Sequence, residues 1–127
     1  MAKKILIVDD DDDFTEAIKR LLESKSYEVL SASNGSDGFD LAKRESPNLI
    51  LLDVMMDTDT EGFDVARRLH KDSATSSIPV ILVTGIRREM NLSFGFEPDD
   101  ALLPVRRVLE KPLKPEVLLK VIAENLA

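Results

Sequence analysis

The sequence predicts an α/β fold in which five strands form a doubly wound, mostly parallel sheet. Short apolar runs of strand length alternate with segments of helical periodicity, which is the pattern of repeated βα units. The residues from Leu49 to Leu52 are all apolar, as in a central strand that is covered on both faces. Right-handed crossovers then bring the carboxyl ends of the strands to one edge of the sheet. The predicted strands are residues 4–8, 27–31, 49–53, 80–83 and 107–109.

The first predicted helix has an apolar stripe along one face. Asp13, followed three residues later by Glu16, resembles the capping box that starts many helices. The apolar positions after it are spaced by three and four residues, so one side of the helix is expected to pack on the sheet. These positions are Phe14, Ala17, Ile18, Leu21 and Leu22.

The remaining helices are predicted from turn residues and the same periodicity. Asn34-Gly35 marks a turn that opens the second helix, and Pro115 precedes the last one. The third helix is predicted over residues 63–70. Residues 86–104 show poor periodicity and contain one glycine and two prolines, so only a short or irregular helix is expected there.

The length and composition limit the classes of protein that the chain fits. Its 127 residues are enough for one domain, predicted to span residues 1–127, and 43% hydrophobic residues supply one ordinary core. A net charge of −7 argues against direct binding to nucleic acid. Cysteine is absent, and no apolar run approaches the roughly 18 residues that span a bilayer. A cytoplasmic location without membrane attachment is therefore expected.

Acidic residues follow two of the predicted strands at the edge where the carboxyl ends meet. Asp9 and Asp10 come directly after residues 4–8, and Asp53 closes the central strand. Like charges about 5 Å apart repel by roughly 3 kcal/mol at an effective dielectric constant near 20. A hard divalent cation such as Mg²⁺ would relieve this repulsion, since it binds carboxylate oxygens. The alternative is that the run from Asp9 to Asp13 is only a solvated helix start, favoured by the helix macrodipole.

Two further polar residues close the remaining core strands. Thr84 follows the fourth predicted strand, and Lys111 comes two residues after the fifth. Acid, acid, hydroxyl and ammonium groups thus end four successive core strands. Because the carboxyl ends of such strands line the ligand-binding edge of open sheets, this combination favours a chemical site over a solvated surface.

Five short motifs occur in a fixed order along nearly the whole chain. They are Ile5-Leu6-Ile7-Val8-Asp9-Asp10, Leu51-Leu52-Asp53-Val54-Met55-Met56, Glu61-Gly62-Phe63, Val83-Thr84-Gly85 and Glu110-Lys111-Pro112. In these motifs the chain resembles the receiver domain of two-component response regulators. The resemblance implies a flavodoxin-like fold with the strand order 2-1-3-4-5 and a function in a phosphorelay.

The resemblance also implies a role for each residue of the predicted site. Asp53 would be the phosphoacceptor, attacking a phosphoryl group as a carboxylate nucleophile. Lys111 and Thr84 would contact phosphoryl oxygens after the transfer. Mg²⁺ would be bound by carboxylates and one backbone carbonyl, which belong to Asp9, Asp10, Asp53 and Met55.

Val108 departs from the family pattern. It lies three residues before Lys111, where relatives usually carry an aromatic residue that turns inward when the threonine moves. Thr84 and Val108 are therefore the predicted switch positions, but valine has no ring to turn. The aromatic part of the switch is in question, whereas the phosphorylation chemistry is not.

The resemblance implies protein partners and no enzymatic activity beyond self-phosphorylation and self-dephosphorylation. A sensor histidine kinase or a phosphotransfer protein would donate the phosphoryl group, and a downstream protein would bind the switched surface. Whether phosphorylation also produces a dimer stays open. Two alternatives remain: a phosphohydrolase of the haloacid dehalogenase type, with Asp9 and Asp11 as its signature, and a pseudo-receiver that works without phosphorylation.

Overall fold

A computed structural model describes residues 2–53, 61–84, 107–110 and 113–126, with the backbone alone at residues 61–64, 84, 107, 108 and 110. Five parallel strands form one sheet in the order β2-β1-β3-β4-β5, so the predicted α/β fold and strand order are confirmed. The strands are β1 (Lys4–Val8), β2 (Glu28–Ala32), β3 (Leu49–Asp53), β4 (Val80–Thr84) and β5 (Arg107–Glu110).

Four described helices cover the two faces of the sheet. They are α1 (Asp12–Ser24), α2 (Gly35–Glu45), α3 (Glu61–Lys71) and α4 (Pro115–Leu126). One core cluster joins α2 and α3 to the sheet, and a second cluster joins α1 and α4 to the opposite face. The sheet is therefore the middle layer of three, which explains why β3 is buried at all five positions.

The first helix begins earlier than the sequence pattern predicts. Its N-cap is Asp11, whose side-chain oxygen Oδ1 accepts a hydrogen bond of 3.0 Å from the backbone N–H of Phe14. The capping-box prediction at Asp13 is therefore wrong by two residues, because Asp12 and Asp13 already belong to the first turn of α1. Both carboxylates still lie where the helix macrodipole favours negative charge.

The second helix approaches the sheet unusually closely. Asn34 caps it, accepting a hydrogen bond of 2.8 Å from the backbone N–H of Asp37. A β-carbon added at Gly38 would lie 2.7 Å from Cγ2 of Val8, so only glycine fits there without movement of the neighbouring atoms. This contact seats α2 directly on the last residue of β1, next to Asp9.

Three sequence predictions fall on residues outside the described ranges. The irregular helix expected in residues 86–104 lies outside the described residues, as do Met55 and Lys111. Among the helices that are described, none combines the length and apolar character required to cross a lipid bilayer.

Candidate functional site

The pairing register of the two central strands places Asp9 beside Asp53. Val8 of β1 pairs with Leu52 of β3, so the next residue on each chain is an aspartate. Adjacent strands lie about 4.8 Å apart, which sets the distance between groups at matching positions. Two carboxylates that are 44 residues apart in sequence therefore meet at the carboxyl edge of the sheet.

Asp10 joins these two residues to form a three-carboxylate cluster. One side-chain oxygen from each of Asp9, Asp10 and Asp53 can be chosen so that all three lie within 4.8 Å of one another. Asp9 and Asp53 are buried, with exposed fractions of 2% and 3%, whereas Asp10 is exposed. The cluster thus has two oxygens held in the protein and a third that faces solvent.

Local backbone geometry fixes the orientation of Asp9. Its Oδ1 accepts a hydrogen bond of 2.8 Å from the backbone N–H of Asp11, and its own N–H donates to the carbonyl of Ala32 at 3.0 Å. Asp11 therefore has two roles: its side chain caps the first helix, and its backbone N–H holds Asp9 in the cluster. The sequence analysis placed Asp11 in the acidic run and in the phosphohydrolase alternative, but it did not predict this turn, although the Asp-x-Asp spacing was a signal for it.

The cluster concentrates negative charge where solvent screening is reduced. Carboxylates 4.8 Å apart repel by roughly 3 kcal/mol per pair at an effective dielectric constant of 20. Such repulsion is a considerable fraction of a typical folding stability of about 5–15 kcal/mol. Oxygen ligands at this spacing, with one side open to water, fit a hard divalent cation that retains water molecules, as Mg²⁺ does.

The other predicted site residues are described only in part. Thr84 ends β4, one residue beyond Val83, which pairs with Asp53, so its backbone lies at the same edge as the carboxylates. Thr84 pairs in turn with Glu110, the residue that precedes Lys111. Val108 pairs with Leu82 within the sheet. The side chains of Thr84 and Val108 are not described, and Lys111 and Met55 lie outside the described residues.

This arrangement supports nucleophilic and metal-binding chemistry at one place. Asp53 is a buried carboxylate at the end of the central strand, with two further carboxylates beside it. Ligand sites in open parallel sheets lie outside the carboxyl ends of the strands, near the point where the strand order reverses. In this sheet the order reverses between β1 and β3, which is where the cluster lies.

The fold and the acidic edge define a doubly wound parallel α/β domain with a carboxylate cluster at its ligand-binding edge. The sequence profile of the family described as the response regulator receiver domain matches residues 5–123. The chain therefore belongs to the response regulator receiver domain family, as the resemblance implied, and it is a receiver domain of two-component signalling. Neither the phosphohydrolase nor the pseudo-receiver alternative is favoured by this match.

Individual relatives agree with the family assignment. Protein PilH of Pseudomonas aeruginosa is 40% identical over 124 residues, which cover 98% of each chain. The transcriptional regulatory protein SrrA of Staphylococcus aureus is 37% identical over 95% of this chain, which spans only about half of the SrrA sequence (47%). A CheY-like receiver domain protein from Methanospirillum hungatei superimposes with a TM-score of 0.83 at 32% identity, covering 99% of this chain and 94% of that one.

Proposed function

We propose that this receiver domain, residues 1–127, is phosphorylated on Asp53 and that Asp9, Asp10 and Asp53 hold the Mg²⁺ ion that the reaction requires. The convergence of the three carboxylates within 4.8 Å carries the proposal. Two buried carboxylates and one exposed carboxylate meet the two requirements of such a site, a positioned nucleophile and accessible metal ligands. The cluster orients a nucleophile, and it offers oxygen ligands while leaving room for water and phosphoryl oxygens.

In the proposed step, a carboxylate oxygen of Asp53 forms a bond to phosphorus as the bond between phosphorus and the donor's leaving atom breaks. When bound, Mg²⁺ would offset the negative charge on the transferring phosphoryl oxygens. Asp9, fixed by the N–H of Asp11, keeps its oxygen in place beside Asp53. The product is an acyl phosphate, which hydrolyses readily and thus serves as a signal of limited lifetime.

Three other residues complete the proposed site by resemblance to the family. The backbone carbonyl of Met55 would be a further metal ligand, and the Lys111 ammonium would pair with a phosphoryl oxygen. Thr84 would move toward the phosphoryl group and donate a hydrogen bond to another of its oxygens. The movement of Thr84 would begin the conformational switch that includes Val108. The position of Thr84 at the end of β4, next to the strand that carries Asp53, supports its part of the proposal.

The proposed partners are proteins of the same signalling chain. A sensor histidine kinase or a phosphotransfer protein would supply the phosphoryl group, and a downstream protein would bind the phosphorylated form. The proposed location is the cytoplasm, where such donors have access to Mg²⁺ and ATP-derived phosphate. Catalysis by the domain would be limited to its own phosphorylation and dephosphorylation.

Incubation with acetyl phosphate and Mg²⁺, followed by intact-protein mass spectrometry, tests the proposal. The wild-type protein should gain one phosphoryl group, and the gain should disappear when Mg²⁺ is chelated. Asp53→Asn should not react, because an amide is a poor nucleophile. Asp13→Asn is the matched control, since it removes the same charge from an exposed position outside the cluster and should react as the wild type does. Full reaction of Asp53→Asn would refute the assignment.

A further inference from the structure

A second charged surface lies at the opposite edge of the sheet from the carboxylates. Four basic residues from the last turns of α2 and α3 form it, and we call it the basic patch: Lys43, Arg44, Arg68 and Lys71. All four are exposed, although the whole chain has a net charge of −7. The protein therefore carries a local positive surface against an acidic background.

An aromatic ring connects the two halves of the basic patch. The guanidinium carbon of Arg68 lies 4.3 Å from the ring centroid of Phe39, and Nζ of Lys43 lies 5.6 Å from the same centroid. The ring is half-buried between α2 and α3, where it packs against the core. A guanidinium stacked on a fixed ring loses less rotational freedom when it binds a ligand than a free arginine does.

The basic patch is only partly neutralised by nearby acids. Lys43 pairs with Asp72 at 3.1 Å, and Arg44 pairs with Glu45 at 3.4 Å. Among the side chains that the structure describes, no carboxylate forms an ion pair with Arg68 or Lys71. These two residues are three positions apart on α3 and so lie on the same side of the helix. Both are exposed, so an anionic ligand can reach them.

Helix stability alone does not account for this distribution. Basic residues near a helix C-terminus interact favourably with the macrodipole, so each could be explained singly. However, α1 and α4 are described along their whole length, and neither has a basic residue in its last turn. Among the four helices that the structure describes, α2 and α3 have basic residues in their last turns, whereas α1 has only its C-cap Lys25 beyond the last turn. Two basic helix ends therefore lie on one face of the sheet, and we interpret that face as functional.

The basic patch lies far enough from the carboxylates to act separately. Nζ of Lys4, the first residue of β1, donates a hydrogen bond of 3.2 Å to the carbonyl of Glu45 at the end of α2. The carboxylates follow the other end of β1, about 13 Å away along a strand of five residues. A partner on the basic patch would leave the acidic edge open to a phosphoryl donor.

We infer that the basic patch is a docking surface for an acidic segment of a partner protein. The carboxylates of aspartate and glutamate match the fork geometry of Arg68 and the point charge of Lys71. A short acidic segment engages the patch locally, whereas an extended polyanion such as DNA or an anionic membrane also meets the negative remainder of the surface. This inference goes beyond the proposed phosphorylation and does not depend on it.

Fluorescence anisotropy with a fluorescein-labelled deca-glutamate peptide, at low salt, tests the inference. The wild-type protein should bind, and Arg68→Gln/Lys71→Gln should bind about tenfold more weakly. The matched control Lys25→Gln/Lys120→Gln removes the same net charge from two exposed positions, one directly after α1 and one on α4. It should change affinity by less than about twofold. Arg68→Lys, which keeps the charge but loses the stacked fork, should weaken binding about threefold.

Several outcomes would overturn the inference. Equally weakened peptide binding in the two double variants would mean that binding depends only on the net charge of the protein. Duplex DNA or phosphatidylserine vesicles that displace the peptide at lower charge concentration would assign the patch to those polyanions. A concentration-dependent dimer that Arg68→Gln/Lys71→Gln abolishes would assign it to a second copy of the chain. Phosphorylation of Arg68→Gln/Lys71→Gln by acetyl phosphate is the control, and unchanged phosphorylation would show that the acidic edge is intact. Failure of the docking inference is thereby distinguished from failure of the proposed function.

Discussion

At the level of single residues, the three members of the acidic cluster differ in what their removal would leave behind. Asp9 and Asp53 are buried, so neutralising either one alters the protein interior, whereas Asp10 is exposed. Asp10 therefore offers the cleanest way to measure the repulsion within the cluster. Coulomb's law gives the direction of the expected change in the free energy of unfolding, and the effective dielectric constant sets its size.

Asp10→Asn is expected to stabilise the metal-free protein. Removing one charge from the cluster relieves repulsion with two neighbouring carboxylates, and after screening the gain should be about 1–3 kcal/mol in the free energy of unfolding. The same variant should gain less stability from added Mg²⁺, because a ligand is lost. Urea denaturation in the presence of a chelator, and then with Mg²⁺, measures both effects.

Asp13→Asn is the control for that prediction. Asp13 lies in the first turn of α1, outside the cluster, where its charge interacts favourably with the helix macrodipole. Its neutralisation should destabilise the protein by about 0.3–1 kcal/mol, and the response to Mg²⁺ should be that of the wild type. A stability loss in Asp10→Asn as large as that in Asp13→Asn would contradict a repulsive cluster.

At the level of secondary-structure elements, α2 has specific contacts on two sides. Gly38 allows it to approach Val8 on the sheet. Phe39 stacks with Arg68 of α3, and Lys43 pairs with Asp72, the residue directly after α3. The first contact supports the end of β1, from which Asp9 and Asp10 extend. The contacts of Phe39 and Lys43 hold the C-terminal ends of α2 and α3 together at the opposite edge of the sheet.

The Gly38–Val8 contact predicts energetic coupling between these positions. Val8→Ala removes buried methyl groups and should cost about 1–3 kcal/mol. Gly38→Ala should then be better tolerated than in the wild type, because its β-carbon occupies the space that the valine vacated. In a double-mutant cycle on unfolding free energies, the double variant should be about 1 kcal/mol more stable than the sum of the single changes.

Ser36→Ala is the matched control for this cycle. Ser36 belongs to the same helix but is exposed. The effects of Ser36→Ala and Val8→Ala on the free energy of unfolding should be additive within a few tenths of a kcal/mol, as is usual for residues without shared partners. Additivity of Gly38→Ala with Val8→Ala would mean that the helix shifts as a body and that the close contact has no energetic role.

The α2–α3 connection predicts a pH dependence of stability in the acid range. The backbone N–H of Ala74, and then the side chain of Lys43, lower the pKa of Asp72 from its ordinary value. A carboxyl whose pKa is lower in the folded state stabilises the protein above its unfolded pKa, and this stability is lost as pH falls through the folded pKa. The stability difference between the wild type and Asp72→Asn should thus be constant near neutral pH and shrink below about pH 4.

Lys43→Met refines the Asp72 measurement. Because the Ala74 hydrogen bond is the larger cause of the lowered pKa, this variant should reduce the acid-range dependence without abolishing it. Thermal melts across the acid range for the three proteins provide the comparison. A difference between the wild type and Asp72→Asn that persists undiminished in strong acid would show that the charge on Asp72 does not stabilise the fold.

At the level of the whole molecule, the fold follows from the sequence with few errors. Apolar runs predict all five strands to within one residue at each end, and alternation with helices predicts the parallel sheet. The strand order came from the resemblance and not from periodicity. The meeting of Asp9 with Asp53 was also predictable, because residues that end neighbouring parallel strands share an edge.

Other features depend on tertiary contacts that no local pattern contains. The helix start at Asp11 could not be distinguished from Asp13, since five successive aspartates all suit an N-cap or a first turn. The fit of Gly38 against Val8 depends on how closely α2 lies on the sheet. The stacking of Arg68 on Phe39 depends on how α2 and α3 pack together. The chemistry-bearing residues were thus easier to predict than the contacts that position them.

Asp53, at the end of the middle strand, is the residue proposed to receive the phosphoryl group. Borohydride reduction of the protein treated with acetyl phosphate and Mg²⁺ converts an aspartyl phosphate to homoserine, and tandem mass spectrometry of the peptides locates it. Phosphorylation of Asp53 should give homoserine at position 53 alone, and none when Mg²⁺ is chelated. Homoserine at position 9, the nucleophile expected of the phosphohydrolase alternative, would contradict it.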